Sequence, residues 1–189
     1  MGPALSVTDG WFAGGLLSGK SCSISNHRGR LNVGDWHDIH LLPGEPADLP
    51  LIYQLERAYI VDYEPQNVHA WQSAMHRHLE QWVRCLPHTV VAAVGDEKVG
   101  YVFWEKASQT ATLASIHVKP NYRRRAIGRS LLARFEENAA RLGCETADLH
   151  VFEGNPAMHF YEAAGYAVIG NAGSYVALSK DLVARRHPS

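Results

Sequence analysis

The sequence holds only three cysteines in 189 residues, at Cys22, Cys85 and Cys144. Their wide spacing and odd number argue against a disulfide framework and against a metal-ligand cluster. The expectation is reduced thiols in a cytoplasmic protein that binds no metal. No run of 18 apolar residues occurs, so no stretch is long enough to cross a bilayer as a helix. The amino terminus lacks a basic segment followed by an apolar core, which argues against a secretion signal. Net charge is −1, so no global field draws in nucleic acid or an acidic membrane. Internal repeats are also lacking. What remains, 46% hydrophobic and 20% charged, suits one globular domain with a sizeable core and room for a tail.

Residues 1–34 are rich in Gly and Ser and read as an extension, flexible or loosely docked. Within them Gly14-x-x-x-x-Gly19-Lys20-Ser21 fits the P-loop pattern letter for letter. A working P-loop needs a buried strand before it and a helix after it. Residues 8–13 are too short and polar for that strand, and residues 22–29 have no helical period. The match reads as chance in a Gly/Ser-rich tail.

The chain is organised around residues 111–132. Residues 111–118 carry no charge and several β-branched side chains, which suits a buried strand. Pro120 and Asn121 end it. Arg123, Arg124 and Arg125 follow, then Ala126, Ile127 and Gly128. From Gly128 the spacing of Leu131, Leu132, Phe135, Ala139 and Leu142 predicts a helix. A helix opening after a basic turn presents free N–H groups and partial positive charge to an anion.

The rest of the chain reads as follows. A strand spans 36–42, and Pro43-Gly44 turns it. Asp48 is an N-cap, and Leu49, Ile52, Leu55 and Tyr59 mark a helix face. Val68, Trp71, Met75, Leu79 and Trp82 mark a second helix, on which His69, His76 and His78 read as a solvated polar face. A hairpin joins 89–94 to 99–106. After the central strand and helix, closed by Gly143, come a strand at 146–152, a short helix at 157–164 and strands at 166–169 and 175–179. The order is β α α β β β α β α β β.

That order and two motifs resemble the GNAT superfamily of N-acetyltransferases. Arg123-x-x-Ala126-x-Gly128, preceded by Val118-x-Pro120-x-Tyr122 and followed by Arg129-x-Leu131-Leu132, is similar to the family's acetyl-CoA signature. Ala126 stands where the signature has its first glycine, which is tolerable if its φ is negative. The alternative register, Arg125-x-x-Gly128-x-Ser130, misplaces the helix. Residues 149–166 resemble the family's later strand and its Asn-x-x-Ala and Tyr-Glu-x-x-Gly segment, with Asn155, Tyr161 and Gly165 in place and the alanine one position early. The resemblance covers about residues 36–182. It implies an α/β (α+β) fold with a central mixed, mostly antiparallel sheet flanked by helices, as one N-acetyltransferase domain at 35–185.

The resemblance also implies acetyl-CoA as cosubstrate and a small amine or peptide N-terminus as acceptor. The pyrophosphate would sit on the N–H groups of residues 124–129, namely Arg124, Arg125, Ala126, Ile127, Gly128 and Arg129, with side-chain help from Arg123 to Arg125. The pantetheine arm would run beside Ile116, His117 and Val118, and Asn155 would bond it. Tyr161 falls on the family's general acid. Many members carry a strand glutamate as base; this strand has none. His117 has a suitable pKa, though a half-buried strand histidine is an equal reading. Glu105, Glu64 and a water chain stay open as alternatives. Asp62 and Glu64, in the loop that usually covers the acceptor, hint at a cationic acceptor or are simply solvated. Dimers are common in the family, so a homodimer is an expectation by analogy. A non-catalytic acetyl-CoA-binding module and a P-loop nucleotide-binding protein are the competing readings.

Overall fold

The two apolar runs at the centre of the sequence become inner strands because no face of them tolerates water. Thr89–Val94 (β2) and Thr110–Val118 (β4) flank Glu97–Ala107 (β3). The computed structural model describes residues 39–183, so the P-loop-like match and residues 36–38 of the first strand lie outside the described residues. Ile39–Pro43 (β1), Thr146–Phe152 (β5), Ala167–Ala172 (β6) and Tyr175–Asp181 (β7) complete a seven-stranded sheet in the order β1-β2-β3-β4-β5-β7-β6. Every neighbouring pair is antiparallel except β4 and β5. The mostly antiparallel sheet expected from the sequence is therefore observed.

Leu49–Tyr63 (α1), Val68–Ser73 (α2) and Met75–Cys85 (α3) pack on one face of the sheet. Ile52, Leu55, Tyr59, Trp71 and Trp82 meet Val91, Tyr101 and Phe103 there. Ile127–Arg141 (α4) covers the other face, where Leu131, Phe135 and Ala139 meet Val102, Trp104 and Leu113. Met158–Ala163 (α5) adds Tyr161 to that second cluster. No helix among the described residues is long and apolar enough to cross a membrane.

Several local expectations change. The second helix is two, because Ala74 leaves helical geometry (φ −91°, ψ 8°) between α2 and α3. The break shifts the helical phase and brings Trp71, His78 and Trp82 onto one face. His78 is buried, its ring stacked on Trp71 at 5.5 Å and on Trp82 at 6.2 Å. Burial, with Arg77 nearby, lowers its pKa, so it is a core histidine and not part of a solvated face. Leu79 points outward for the same phase reason, and Leu142 is exposed because it is the cap residue beyond α4. Asp48 precedes α1 as expected. Its carboxylate accepts from Glu45 N–H and Lys98 and does not cap the helix.

On the α4 side, β7 is tied to α4 and to the end of α5 by Lys180. Its ammonium donates to both Glu136 oxygens (2.6 and 2.7 Å) and to the Ala164 carbonyl (2.7 Å), and both side chains are buried. Removing one partner strands a buried charge. Lys180→Met is expected to cost about 3 kcal/mol of stability, read as a fall in the urea unfolding midpoint at unchanged slope.

Candidate functional site

A parallel pair begins well and then opens. Thr110 to Leu113 of β4 pair with Thr146 to Leu149 of β5, and the ladder stops there. Residues 115–118 keep their antiparallel partners on β3 but have none on β5. The register between β3 and β4 also slips: Phe103 faces Ser115 while Trp104 faces Leu113, so Ala114 is an extra residue. Such a bulge bends its strand and re-aims the side chains beyond it. Gly100 lets β3 follow closely, since a Cβ there would meet the His117 carbonyl oxygen at 2.6 Å.

The open end of β4 leads into the basic turn. Tyr122 closes a short 3₁₀ turn, Pro120–Tyr122, and the Arg123 Nε–H donates to the Val118 carbonyl at 3.0 Å. Two residues of the turn then adopt left-handed backbone, Arg124 (φ 61°) and Ala126 (φ 60°). The condition set for an easy fit of Ala126, a negative φ, is therefore not met: the chain reverses here to start α4 and does so in the left-handed region. The first bond of α4 runs from Ser130 N–H to the Ala126 carbonyl. The N–H groups of Ile127, Gly128 and Arg129 consequently have no partner within the helix. A cleft of ≈ 370 Å³ lies against them, walled by Val118, Tyr122, Arg123, Arg124, Ala126 and Phe160. Its volume falls in the range of small-molecule sites. Arg125 turns away, with its guanidinium over the Tyr122 ring at 5.4 Å.

Tyr161 stands behind Phe160, in edge contact with it (5.2 Å between ring centres) and with Tyr166 (5.9 Å). It is fully buried, and its hydroxyl has no hydrogen-bond partner among the described residues. Burial raises the phenol pKa above its usual value of 10.0, so the proton stays on. Asn155 is also buried. Its Oδ1 accepts from Ala157 N–H at 2.9 Å, and its Nδ2 donates to the Tyr59 hydroxyl at 3.4 Å.

On the α1 side of the same strand lies a buried polar cluster. Beyond the bulge, Ser115 and His117 point toward α1, which presents Glu56 and Tyr59. Tyr101 O–H donates to Glu56 Oε1 at 2.8 Å and lies 3.2 Å from Ser115 Oγ. Glu56 Oε2 is 3.9 Å from His117 Nε2. Burial pushes the Glu56 carboxyl up to about 7, against the pull of Ser115 and Tyr101 and with some help from Glu64. Burial, with Arg123 nearby, lowers His117 to about 3. Around pH 5 to 6 both groups are therefore uncharged.

Glu56 escaped sequence reasoning. It sits four residues after Ile52 and four before Ile60, inside the apolar stripe of α1. A carboxylate at that phase was the available signal. Glu64 is buried rather than solvated and accepts from Tyr59, Asn67 and Tyr175 hydroxyl or amide groups at 2.9 to 3.1 Å. Asp62 is exposed. Glu105 faces Thr112, four residues along β3 from Tyr101, and binds Gln81 and Arg84 of α3. At ~3.3 Å per strand residue it stands well away from His117. The described residues include no group of three or more His, Cys, Asp or Glu side chains able to hold a metal.

A family model for the acetyltransferase (GNAT) family matches residues 52–166. No curated protein matches. Among solved structures, PaiA N-acetyltransferase from Thermoplasma acidophilum, in complex with coenzyme A, is 21% identical with a TM-score of 0.67, over 76% of this chain and 99% of that one. The ribosomal-protein-S18-alanine N-acetyltransferase from Escherichia coli is 20% identical with a TM-score of 0.57, over 77% of this chain and 94% of that one. The N-acetylglutamate synthase from Neisseria gonorrhoeae, complexed with coenzyme A and N-acetyl-glutamate, gives 13% and 0.62, over 77% of this chain and 35% of that one. These similarities concern the fold.

The left-handed alanine gives a test of the turn. A non-glycine residue in that region costs about 1–2 kcal/mol, and glycine gives back about 0.4–1 kcal/mol as unfolded-chain entropy. Ala126→Gly is expected to stabilise the protein by about 0.5–1 kcal/mol, measured by urea unfolding. A fall in stability would mean that the φ of Ala126 is negative after all.

Proposed function

The chain belongs to the acetyltransferase (GNAT) family, and from that premise we propose that it moves an acetyl group from acetyl-CoA to a primary amine by direct attack, with a small amine or a peptide N-terminus as acceptor. The observation that carries this reading is the opening between β4 and β5, which runs directly into the basic turn ahead of α4. The unpaired edge of β4 at Ile116, His117 and Val118 offers backbone groups to an extended, amide-containing arm. The N–H groups of Ile127, Gly128 and Arg129, with the Arg123 and Arg124 side chains, offer the donors and positive charge that a pyrophosphate needs. One ligand with an arm and a pyrophosphate would satisfy both ends of the cleft. In this reading the domain spans 35–185, and residues 1–34 are an appended segment.

Four chemical tasks follow: anchor the pyrophosphate, polarise the thioester carbonyl, take a proton from the ammonium and return one to the sulfur. The Val118 N–H is the assigned donor to the thioester oxygen. Tyr161 is the assigned proton donor to the leaving thiolate. Its hydroxyl is buried with no partner among the described residues, directly behind Phe160, which walls the cleft. Asn155 serves as the cap of the turn before α5 and as a link to Tyr59 on α1, so its contribution is to hold α5 in place.

Thermal unfolding with and without acetyl-CoA tests the cofactor assignment. At about a hundred times its dissociation constant the ligand adds roughly 2.7 kcal/mol. That corresponds to a rise of about 5–10 °C in a domain of this size. Mg-ATP in place of acetyl-CoA should produce no rise. For Tyr161→Phe, two opposite effects are expected: kcat falls by about a hundredfold or more, while stability holds or rises by about 1 kcal/mol because an unbonded buried hydroxyl is gone. A loss of both would make Tyr161 a packing residue only.

A further inference from the structure

We propose that Glu56 and His117 form one proton-accepting pair, which takes the ammonium proton of the acceptor before attack; this rests on the acetyl-transfer reading above. Strand β4 carries no carboxylate of its own. The one that reaches it comes from α1, which packs its Glu56 against the bulged strand. Glu56 Oε2 and His117 Nε2 face each other at 3.9 Å. That is too long for a hydrogen bond, so neither atom satisfies the other. In the tautomer with its proton on Nδ1, the imidazole keeps a lone pair on Nε2. An N–H donor lodged between the two can bond to both. Val118, the residue after His117, is a wall of the cleft, so the pair adjoins the place assigned to the thioester.

The surroundings hold the pair in that state. Tyr101 from β3 fixes the carboxyl through its other oxygen, and Ser115 from β4 bonds the same carboxyl and lies 3.2 Å from the Tyr101 hydroxyl. The Tyr59 ring from α1 lies 5.5 Å from the imidazole and the Tyr101 ring 5.6 Å away. Glu64, from the loop after α1, raises the proton affinity of Glu56, and Arg123, from the basic turn, disfavours a charged imidazole. The sign follows: an acid at about 7 is ionised enough above neutrality to accept a proton and weak enough to hold it. A histidine at about 3 alone would be a poor acceptor.

The step balances. The pair takes one proton from R–NH3⁺, and the nitrogen lone pair forms the C–N bond as the carbonyl π electrons move to oxygen. When the tetrahedral adduct collapses the C–S bond breaks and its electrons leave on sulfur. The second proton lost by nitrogen restores the one that Tyr161 gives to the thiolate. The pair then releases its proton to water, leaving amide, CoA thiol and one H⁺.

The test uses the full chain with saturating acetyl-CoA and two probe acceptors. One is butylamine, charged at neutral pH; the other is hydroxylamine, already uncharged there. Glu56→Gln is expected to slow transfer to butylamine at least about a hundredfold and transfer to hydroxylamine far less. It should also abolish the rise of kcat/KM with pH centred near 7, and Glu56→Asp should restore part of the rate and the rise. Equal losses on both amines with an unchanged pH profile would overturn the pair. Independently, in wild-type protein labelled with δ-¹³C glutamate, one carboxyl, identified by its absence in Glu56→Asp, should titrate near 7. Titration near the ordinary 4.5 overturns the pair even if neither probe is acetylated. Failure of acetyl-CoA to raise the unfolding temperature overturns the transfer reading instead.

Discussion

Everything that resembles a site in this molecule follows from a ladder that stops. After four residue pairs, β4 and β5 part company. In an inner pair of a sheet this is costly, because backbone N–H and C=O groups lose partners that an uninterrupted ladder would supply. The antiparallel side compensates only in part. β3 keeps its grip on β4 through residues 115–118, helped by the absence of a side chain at Gly100 and by the extra residue at Ala114. The outcome is a strand firmly held on one edge and open on the other, aimed at the start of a helix whose first N–H groups are also unused. A ligand that bonds both edges removes both deficits.

The same strand separates two kinds of chemistry. Toward α4 and α5 it presents Ile116 and Val118 to an apolar core, and there the phenol of Tyr161 keeps its proton because nothing polar reaches it. Toward α1 it presents Ser115 and His117 to Glu56, Tyr59 and Tyr101. Desolvation acts on both faces but with opposite signs for acids and bases. It raises Glu56 and lowers His117. In stability terms, the unfolded chain takes up the His117 proton as pH falls below about 6.5, while the folded chain takes up the Glu56 proton already below about 7. Between roughly pH 4.5 and 6.5 the two contributions oppose each other, so the cluster is less acid-labile than a buried histidine alone.

The legible parts of the sequence were the local ones. Residues 146–152 read as a strand and are β5, because alternation of apolar side chains sets a period that burial only confirms. Gly143 and Gly165 end helices at positive φ, as expected of residues with no Cβ. The helix after the three arginines starts within one residue of its expected position. The departures share a cause. Ala126 was held tolerable only at negative φ, His78 was expected in solvent, and a solvated loop was one of the readings left open for Glu64. In each case the side chain or backbone answers to partners distant in sequence: the reversal into α4, the two tryptophans brought together by the break at Ala74, and Tyr59 and Tyr175 closing on one carboxylate.

The sequence by itself therefore determined the order of elements, the mixed sheet with its helices, and the family, since periods, turn residues and a short signature are written in consecutive positions. Only the tertiary structure decided which ionisable groups face one another. Glu56 lies on a helix and His117 on a strand, and no local rule relates their numbers. They meet because α1 lays its buried stripe on the bulged end of β4, and a bulge changes which side chains point up. That register, and the low dielectric it encloses, sets where the protons sit.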